Sequence, residues 1–306
     1  MIYTVTLNPA IDYVMTLPDF KEGAVNRSLT EEIFIGGKGI NVSIILNRLG
    51  VNTTALGFTA GFTGEAIEQY LSIQGITADF VRLTSGNSRI NIKLRSQQET
   101  EINGQGPSIS PHDLEQLFSK LNSIQSGDVL VIAGSVPSSL PDDIYEQILS
   151  RLSDRDVLTA ADASGALLTN VLKYRPFLIK PNHIELGEIF GAQITSPDQA
   201  AKYARELQKQ GARNVLVSMA EKGSVLLDEA GGVAVMKAPS GKAVNSVGAG
   251  DSMLAGFIAG YIRRKDPCYA HALATAAGTA TALSEGLADK ELICRILEEV
   301  AILNGG

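Results

Sequence analysis

"GGKGINVSIILNRLGVNTTALGF", residues Gly36 to Phe58, sets a glycine turn before a helical stripe and closes on a short apolar run. Val42, Ile45, Leu46 and Leu49 recur at i, i+3, i+4 and i+7, the spacing that puts apolar side chains on one face of a helix. "TALGF", Thr54 to Phe58, has no such period and reads as a short strand. The same alternation continues along the chain. Helical stripes fall at Leu114, Leu117, Phe118 and Leu121 and at Ala200, Tyr203, Ala204 and Leu207, while "DVLVIAG", "VLTAAD", "PFLIKPN" and "NVLVSM" read as strands. Strands that alternate with helices predict an α/β fold with a mostly parallel central sheet covered on both faces. Function in such sheets collects at the carboxyl ends of the strands.

Two stretches break that rhythm. "AIDYVMTL" alternates Ile11, Tyr13, Met15 and Leu17 against Asp12, Val14 and Thr16, and "RINIKLR" alternates Ile90, Ile92 and Leu94 against Asn91, Lys93 and Arg95. With "EEIFI" they predict a small separate sheet made of two excursions, about residues 10–35 and 87–106, from a single domain spanning 1–306. Such a sheet has one apolar face that needs covering, by a ligand or by a second subunit.

Composition narrows the function. A chain of 306 residues, 44% hydrophobic, can bury a sizeable core. Its net charge of −7 argues against a nucleic-acid or anionic-membrane surface, so an anionic ligand must be held by local cations and backbone amides. No run reaches the roughly 20 apolar residues of a membrane span, and the amino end has no basic segment leading into an apolar one, which points to a cytoplasmic protein. Cys268 and Cys294 stand apart from any second ligand and are expected to be reduced, buried thiols. His112, His183 and His271 form no triad or metal spacing and are expected to be ordinary polar or core residues.

A second glycine turn carries the chemistry. In "NSVGAGDSMLAGF", Asn245 to Phe257, the stripe Leu254, Phe257, Ile258 and Tyr261 places Gly248, Ala249 and Gly250 at a helix start. The first N–H groups of a helix have no intrahelical partners, and the dipole adds positive potential, so phosphate or the charge on a phosphoryl group in transfer is stabilised there. Asp251, in the first turn, could take the proton of an attacking hydroxyl; equally, it is a favourable first-turn acid. Gly36, Gly37 and Gly39 around Lys38 repeat the arrangement, with Lys38 as a phosphate or leaving-group contact. That turn has neither the P-loop spacing nor the dinucleotide fingerprint and its preceding strand.

"GGKGIN" and "NSVGAGDSMLAGF", with "NPAID", "RINIKL", "GSVP", "KPNHIE" and "VSMAEKGS" in order around them, resemble the ribokinase-like sugar kinases of the phosphofructokinase B group over essentially the whole chain. The resemblance implies a ribokinase-like three-layer sandwich with a small β-sheet lid, and ATP-dependent phosphorylation of a phosphosugar. Asp251 would be the catalytic base, with the amides of Gly248, Ala249 and Gly250 as the anion hole. Asp12, Gly37, Asn41 and Ser135 would contact the sugar, and Arg27, Lys38 and Arg89 its existing phosphate. Lys180, Asn182, Ser218 and Gly223 would serve ATP, with Glu185 organising Mg2+ through water and the small residues of "ALATAAGTATALSEG" walling the adenine. Ala220 departs from the family, standing where glycine is frequent. "TLNPAID", "VNR", "RINIK" and "TEINGQGP" resemble most the members that act on fructose 1-phosphate, with tagatose 6-phosphate kinases near and fructose 6-phosphate as a third acceptor. The lid implies a homodimer. A non-catalytic sugar-phosphate sensor is the rival of a different class.

Overall fold

Val129–Ala133 is a strand without one exposed residue, and its side chains alternate between two cores: Val129, Val131 and Ala133 face one, Leu130 and Ile132 the other. That double burial forces a layer of helices onto each side of the sheet. The computed structural model describes residues 1–244 and 246–305, so Asn245 at the head of the carboxyl-terminal signature lies outside the described residues.

In chain order the first half holds β1 (Ile2–Thr6), β2 (Ala10–Thr16), β3 (Thr30–Gly36), α1 (Lys38–Arg48), β4 (Thr53–Ala60), α2 (Gly61–Ile73), β5 (Thr77–Ala78), β6 (Val81–Leu83), β7 (Arg89–Arg95), β8 (Thr100–Asn103), α3 (Pro111–Leu121) and β9 (Val129–Ala133). There follow α4 (Ile144–Ser150), β10 (Leu158–Asp162), α5 (Gly165–Val171), β11 (Leu178–Ile179), α6 (His183–Phe190), α7 (Pro197–Lys209), β12 (Asn214–Ser218), β13 (Ser224–Leu227), β14 (Val233–Met236), α8 (Ala249–Arg264), α9 (Pro267–Ala282) and α10 (Lys290–Leu303). Local chemistry explains the sharp starts. Ser110 and Ser196 cap α3 and α7 in reciprocal capping boxes with Asp113 and Gln199, each followed by a proline in the first turn.

The central sheet runs β14-β13-β12-β11-β10-β9-β1-β4-β5, with β6 also beside β4. From β12 to β5 every pairing is parallel, and only the β13 and β14 edge is antiparallel. Helices α3 to α7 pack their apolar stripes on one face; α1, α8, α9 and α10 cover the other, with α2 beside α1. No helix among the described residues is long and apolar enough to cross a membrane.

The small sheet has the order β3-β2-β7-β8. Its cross-strand register sets Phe34, Asp12, Asn91 and Asn103 in one row and Ile33, Tyr13, Ile92 and Ile102 in the next, so polar and apolar side chains separate onto opposite faces. Two expectations need correcting. The glycine turn at Gly36 does follow a strand, β3, so only its spacing separates it from a dinucleotide fingerprint. Cys268 and Cys294 are exposed, because Ile293, Ile296 and Val300 take the buried stripe of α10 and Cys268 sits in the solvated first turn of α9.

Candidate active site

The carboxyl ends of β9 to β12 open into a cavity of about 1060 Å³ roofed by the polar face of the small sheet. Gly134 and Ser135 follow β9, Asp162 ends β10, Lys180 follows β11 and Ser218 ends β12. A shallower recess of about 450 Å³ elsewhere is ringed by Lys173, Lys209 and Arg213, but each of these pairs with an acid of its own, Glu146, Glu206 and Glu229.

Both glycine turns deliver helix N-termini to the large cavity. Gly37 caps α1 at φ 120° and Gly248 caps α8 at φ 79°, neither with a side-chain cap bond. These are left-handed conformations in which a side chain is strained, and a Cβ on Gly248 would also meet Leu287 Cδ2 at 2.6 Å. Ala249 N donates to Ser246 O at 3.3 Å. Asp251, in the first turn of α8, is 6% exposed and accepts a 2.7 Å bond from Asn41 Nδ2 of α1. The two helix starts are therefore joined side chain to side chain.

Beside them lies a cluster that sequence reading did not pick out. Asp162, 1% exposed, holds Lys38 Nζ at 3.2 Å and Lys180 Nζ at 3.4 Å. Burial works against the Asp162 charge, but the two ammonium groups overcome it and hold its pKa below the usual value. Burial likewise opposes the charge of Lys38, yet Asp162, Asp251 and Glu185 raise its pKa. Asp251 is pushed up to about 6, first by burial and then by the negative charge of Asp162, with the Asn41 bond and the lysines opposing. A carboxylate with that pKa is mostly ionised at neutrality and a better proton acceptor than an exposed one. The expected consequence is an acid limb: kcat/KM for a proton-accepting role of Asp251 declines as pH drops through about 6. A pH–rate profile flat from about pH 5 to 8 would remove Asp251 from that role.

On the small sheet, Asp12 is 9% exposed and accepts a 2.7 Å bond from Asn91 Nδ2 across the β2–β7 pair. Lys93 Nζ lies 3.9 Å from Asp12 Oδ2 and 3.5 Å from Glu101. Arg89 donates from Nε to the Asn8 carbonyl at 3.1 Å, while Asn8 Nδ2 donates to the Gln105 carbonyl at 3.0 Å, so "NPAID", "RINIK" and "NGQGP" meet at one corner. Burial lowers the Arg89 pKa against the pull of Asp12.

Opposite the small sheet, Asn182 and Glu185 form a reciprocal capping box on α6: the Asn182 side chain accepts from the Ile184 and Glu185 amides, and Glu185 Oε2 accepts from Asn182 N at 2.8 Å. Both line the cavity, and Glu185 Oε1 takes no part in that box. Ser218 and Gly223 are there too, and Ala220 between them adopts φ 53°. That left-handed backbone, costly for a residue with a Cβ, is a physical reason for glycine to be frequent at this place. Thr275, Gly278 and Thr279 of α9 supply the small-residue wall.

Thus Gly37, Lys38, Asn41, Ser135, Lys180, Gly250 and the other residues expected to react or to bind sugar, ATP or Mg2+ through their own groups contribute to one cavity, apart from Arg27. Arg27 is exposed on the connection between β2 and β3. Asp162, Asn91 and Lys93 join the lining without having been singled out. Asp162 did leave a signal, since an acid that ends a buried strand is out of place except at a ligand edge.

The profile of the pfkB family carbohydrate kinases matches residues 5–293. The 1-phosphofructokinase of Bacillus subtilis (strain 168) is 46% identical over 302 residues, 99% of each chain. The D-tagatose-1-phosphate kinase of Bacillus licheniformis is 37% identical over 303 residues, again 99% of each. Phosphofructokinase-2 from Escherichia coli, solved with fructose-6-phosphate, superposes with a TM-score of 0.90 at 26% identity, over 98% of this chain and 99% of that one. The tagatose relative is named for the 1-phosphate, where the motifs had suggested the 6-phosphate.

Proposed function

The chain belongs to the pfkB family of carbohydrate kinases, and from that premise we propose that it transfers the γ-phosphoryl group of ATP to the 6-hydroxyl of fructose 1-phosphate, giving fructose 1,6-bisphosphate and ADP. One observation carries the chemistry: a buried carboxylate, Asp251, beside a helix start without a side-chain cap and a pair of lysines. Asp251 takes the hydroxyl proton as the oxygen attacks. The amino end of α8 and Lys180 offset charge on the migrating group, and Lys38, expected at the acceptor's existing phosphate, joins them because it lies beside Asp162 and Asp251.

Two full-length relatives named for ketose 1-phosphates support the acceptor. With the phosphate on the first carbon and the reacting hydroxyl on the last, that phosphate lies away from Asp251, on the side of Arg89 and the small sheet. Asp12, Gly37, Asn41 and Ser135 serve the sugar between. Lys180, Asn182, Ser218 and Gly223 serve the nucleotide. The donor set fits Mg2+ carried in on the nucleotide: no group of three or more His, Cys, Asp or Glu that could cage a metal occurs among the described residues, while Glu185, whose Oε1 stays outside the capping box, offers one carboxylate. Bound there through water, the ion would neutralise phosphate charge. A coupled ADP-release assay tests the acceptor, with kcat/KM expected to be at least about tenfold higher for fructose 1-phosphate than for fructose 6-phosphate. A preference for fructose 6-phosphate would reassign the substrate within the family.

The small sheet acts as a lid in this reading, excluding water from the transfer. Its outward face leaves Ile33 63%, Ile90 41% and Ile102 56% exposed, an unpaired apolar surface suited to a second copy of the chain in a cytoplasmic homodimer. We keep Arg27 as a phosphate contact delivered by the second chain's lid. Sedimentation is expected to give a dimer that the double change Ile33→Asp and Ile102→Asp converts to monomer; a monomeric wild type would refute the pairing.

A further inference from the structure

His271 lies within α9 with 0% of its surface exposed, and the mechanism above does not use it. Its Nε2 is 2.7 Å from Ser224 Oγ, Ser224 Oγ is 2.7 Å from Thr275 Oγ1, and Thr275 Oγ1 donates to the His271 carbonyl at 3.0 Å. Proton accounting fixes the direction of each contact. Thr275 has one hydroxyl proton and directs it to the carbonyl, so Ser224 donates to Thr275. Ser224 then has no proton left, and His271 must donate to it from Nε2. The ring is therefore the neutral Nε2–H form, and Nδ1, buried without a partner, carries a lone pair. An orphan acceptor is the more tolerable of the two possible orphans. Protonation would add a buried charge, and burial holds the His271 pKa down at about 3 against a contact with the Ser224 backbone that favours the charged ring.

The position of this closed ring of bonds gives it meaning. Ser224 opens β13 immediately after Gly223, and Thr275 stands one turn before Gly278 and Thr279 on α9. Gly223, Thr275, Gly278 and Thr279 all line the cavity. The ring thus ties the sheet side of the cavity to its helical wall with hydrogen bonds that water does not reach.

We propose that His271 is a positioning residue for the nucleotide: through Nε2–H it clamps Ser224 and Thr275 together and so sets the gap between the Gly223 turn and the small-residue face of α9. This rests on the assignment of that half of the cavity to ATP. A purely space-filling role would be met by any side chain of similar volume, whereas the clamp needs a donor at the Nε2 position.

The test compares His271→Leu, which keeps much of the volume without a donor, with His271→Gln, whose amide can donate at a similar reach. ATP affinity by equilibrium binding and KM for each substrate are measured on the full chain, and 15N-histidine NMR is recorded on wild type. The Leu variant is expected to weaken ATP binding and raise its KM about 5- to 20-fold, with the acceptor KM within about twofold, since small misplacements of binding groups cost up to about 100-fold. The Gln variant is expected within about threefold of wild type. If the Leu variant does not fold, Ser224→Ala removes the relay with little volume change and carries the same expectation. Wild-type ATP affinity in the folded donor-free variants, equal losses for both substrates, or an Nδ1–H tautomer would overturn the proposal. The NMR tautomer is independent of catalysis, so an inactive wild type would sink the kinase reading without deciding the ring.

Discussion

Asp251→Asn is expected to lower kcat by about 10²- to 10⁴-fold, the range that general-base catalysis supplies, while KM for both substrates changes only a few-fold. The amide put in its place keeps the shape and can still accept the bond from Asn41 Nδ2, but it cannot take a proton at neutral pH. The same change is expected to stabilise the protein. Burial and the charge of Asp162 raise the Asp251 pKa from 3.8 to about 6. An acid whose folded pKa exceeds its unfolded value contributes stability that is fully present below about pH 4 and is lost as pH rises through about 6. At neutral pH the ionised carboxylate therefore costs on the order of 1–3 kcal/mol, since each tenfold change in proton affinity is worth about 1.4 kcal/mol. Replacing it should raise Tm by a few degrees. A rate loss accompanied by higher Tm separates a chemical defect from unfolding. Turnover within about tenfold of wild type would refute the base assignment.

Asp162→Asn should do the opposite to stability and reach catalysis by another route. It leaves two lysines without their shared partner, and Lys180 is only 4% exposed. Breaking one side of a buried ion pair costs about 3–5 kcal/mol; here the figure belongs at the lower end, because Asp251 remains to attract both ammonium groups. With the two lysines no longer anchored, the phosphoryl group is held less well, and kcat is expected to drop by about 10²-fold. The pH profile should also move. Removing the Asp162 charge removes one of the two influences that raise the Asp251 pKa, while the lysines go on lowering it, so the acid limb shifts below pH 6. An unchanged limb with unchanged Tm would show that the two carboxylates do not interact.

The residues read most directly from sequence are those whose meaning is local. Gly37 and Gly248 announce helix starts by their neighbours alone, and the structure finds both in left-handed conformations at those starts. Asp251 could be picked out because its distance from Gly248 along the chain is its distance from the helix start. Asp162 could not be weighed in the same way: its partner Lys38 is 124 residues away, and an aspartate ending a short strand has no periodicity of its own. Nor could Asn41 be seen to hold Asp251 across 210 residues. Cys268 and Cys294 misled because cysteine is usually buried, whereas the face a helix turns to solvent depends on what packs against the other.

Sequence by itself determined that strands and helices alternate, that two helices begin on bare glycine turns, and that polar residues follow apolar strands, because backbone geometry turns spacing along a chain into direction in space. Tertiary structure alone decided which of those ends meet. Ordering the sheet β12-β11-β10-β9 brought Ser218, Lys180, Asp162 and Ser135 to one rim. Burial there removed the water that would have screened their charges, and that is what lets the charge of Asp162 raise the Asp251 pKa.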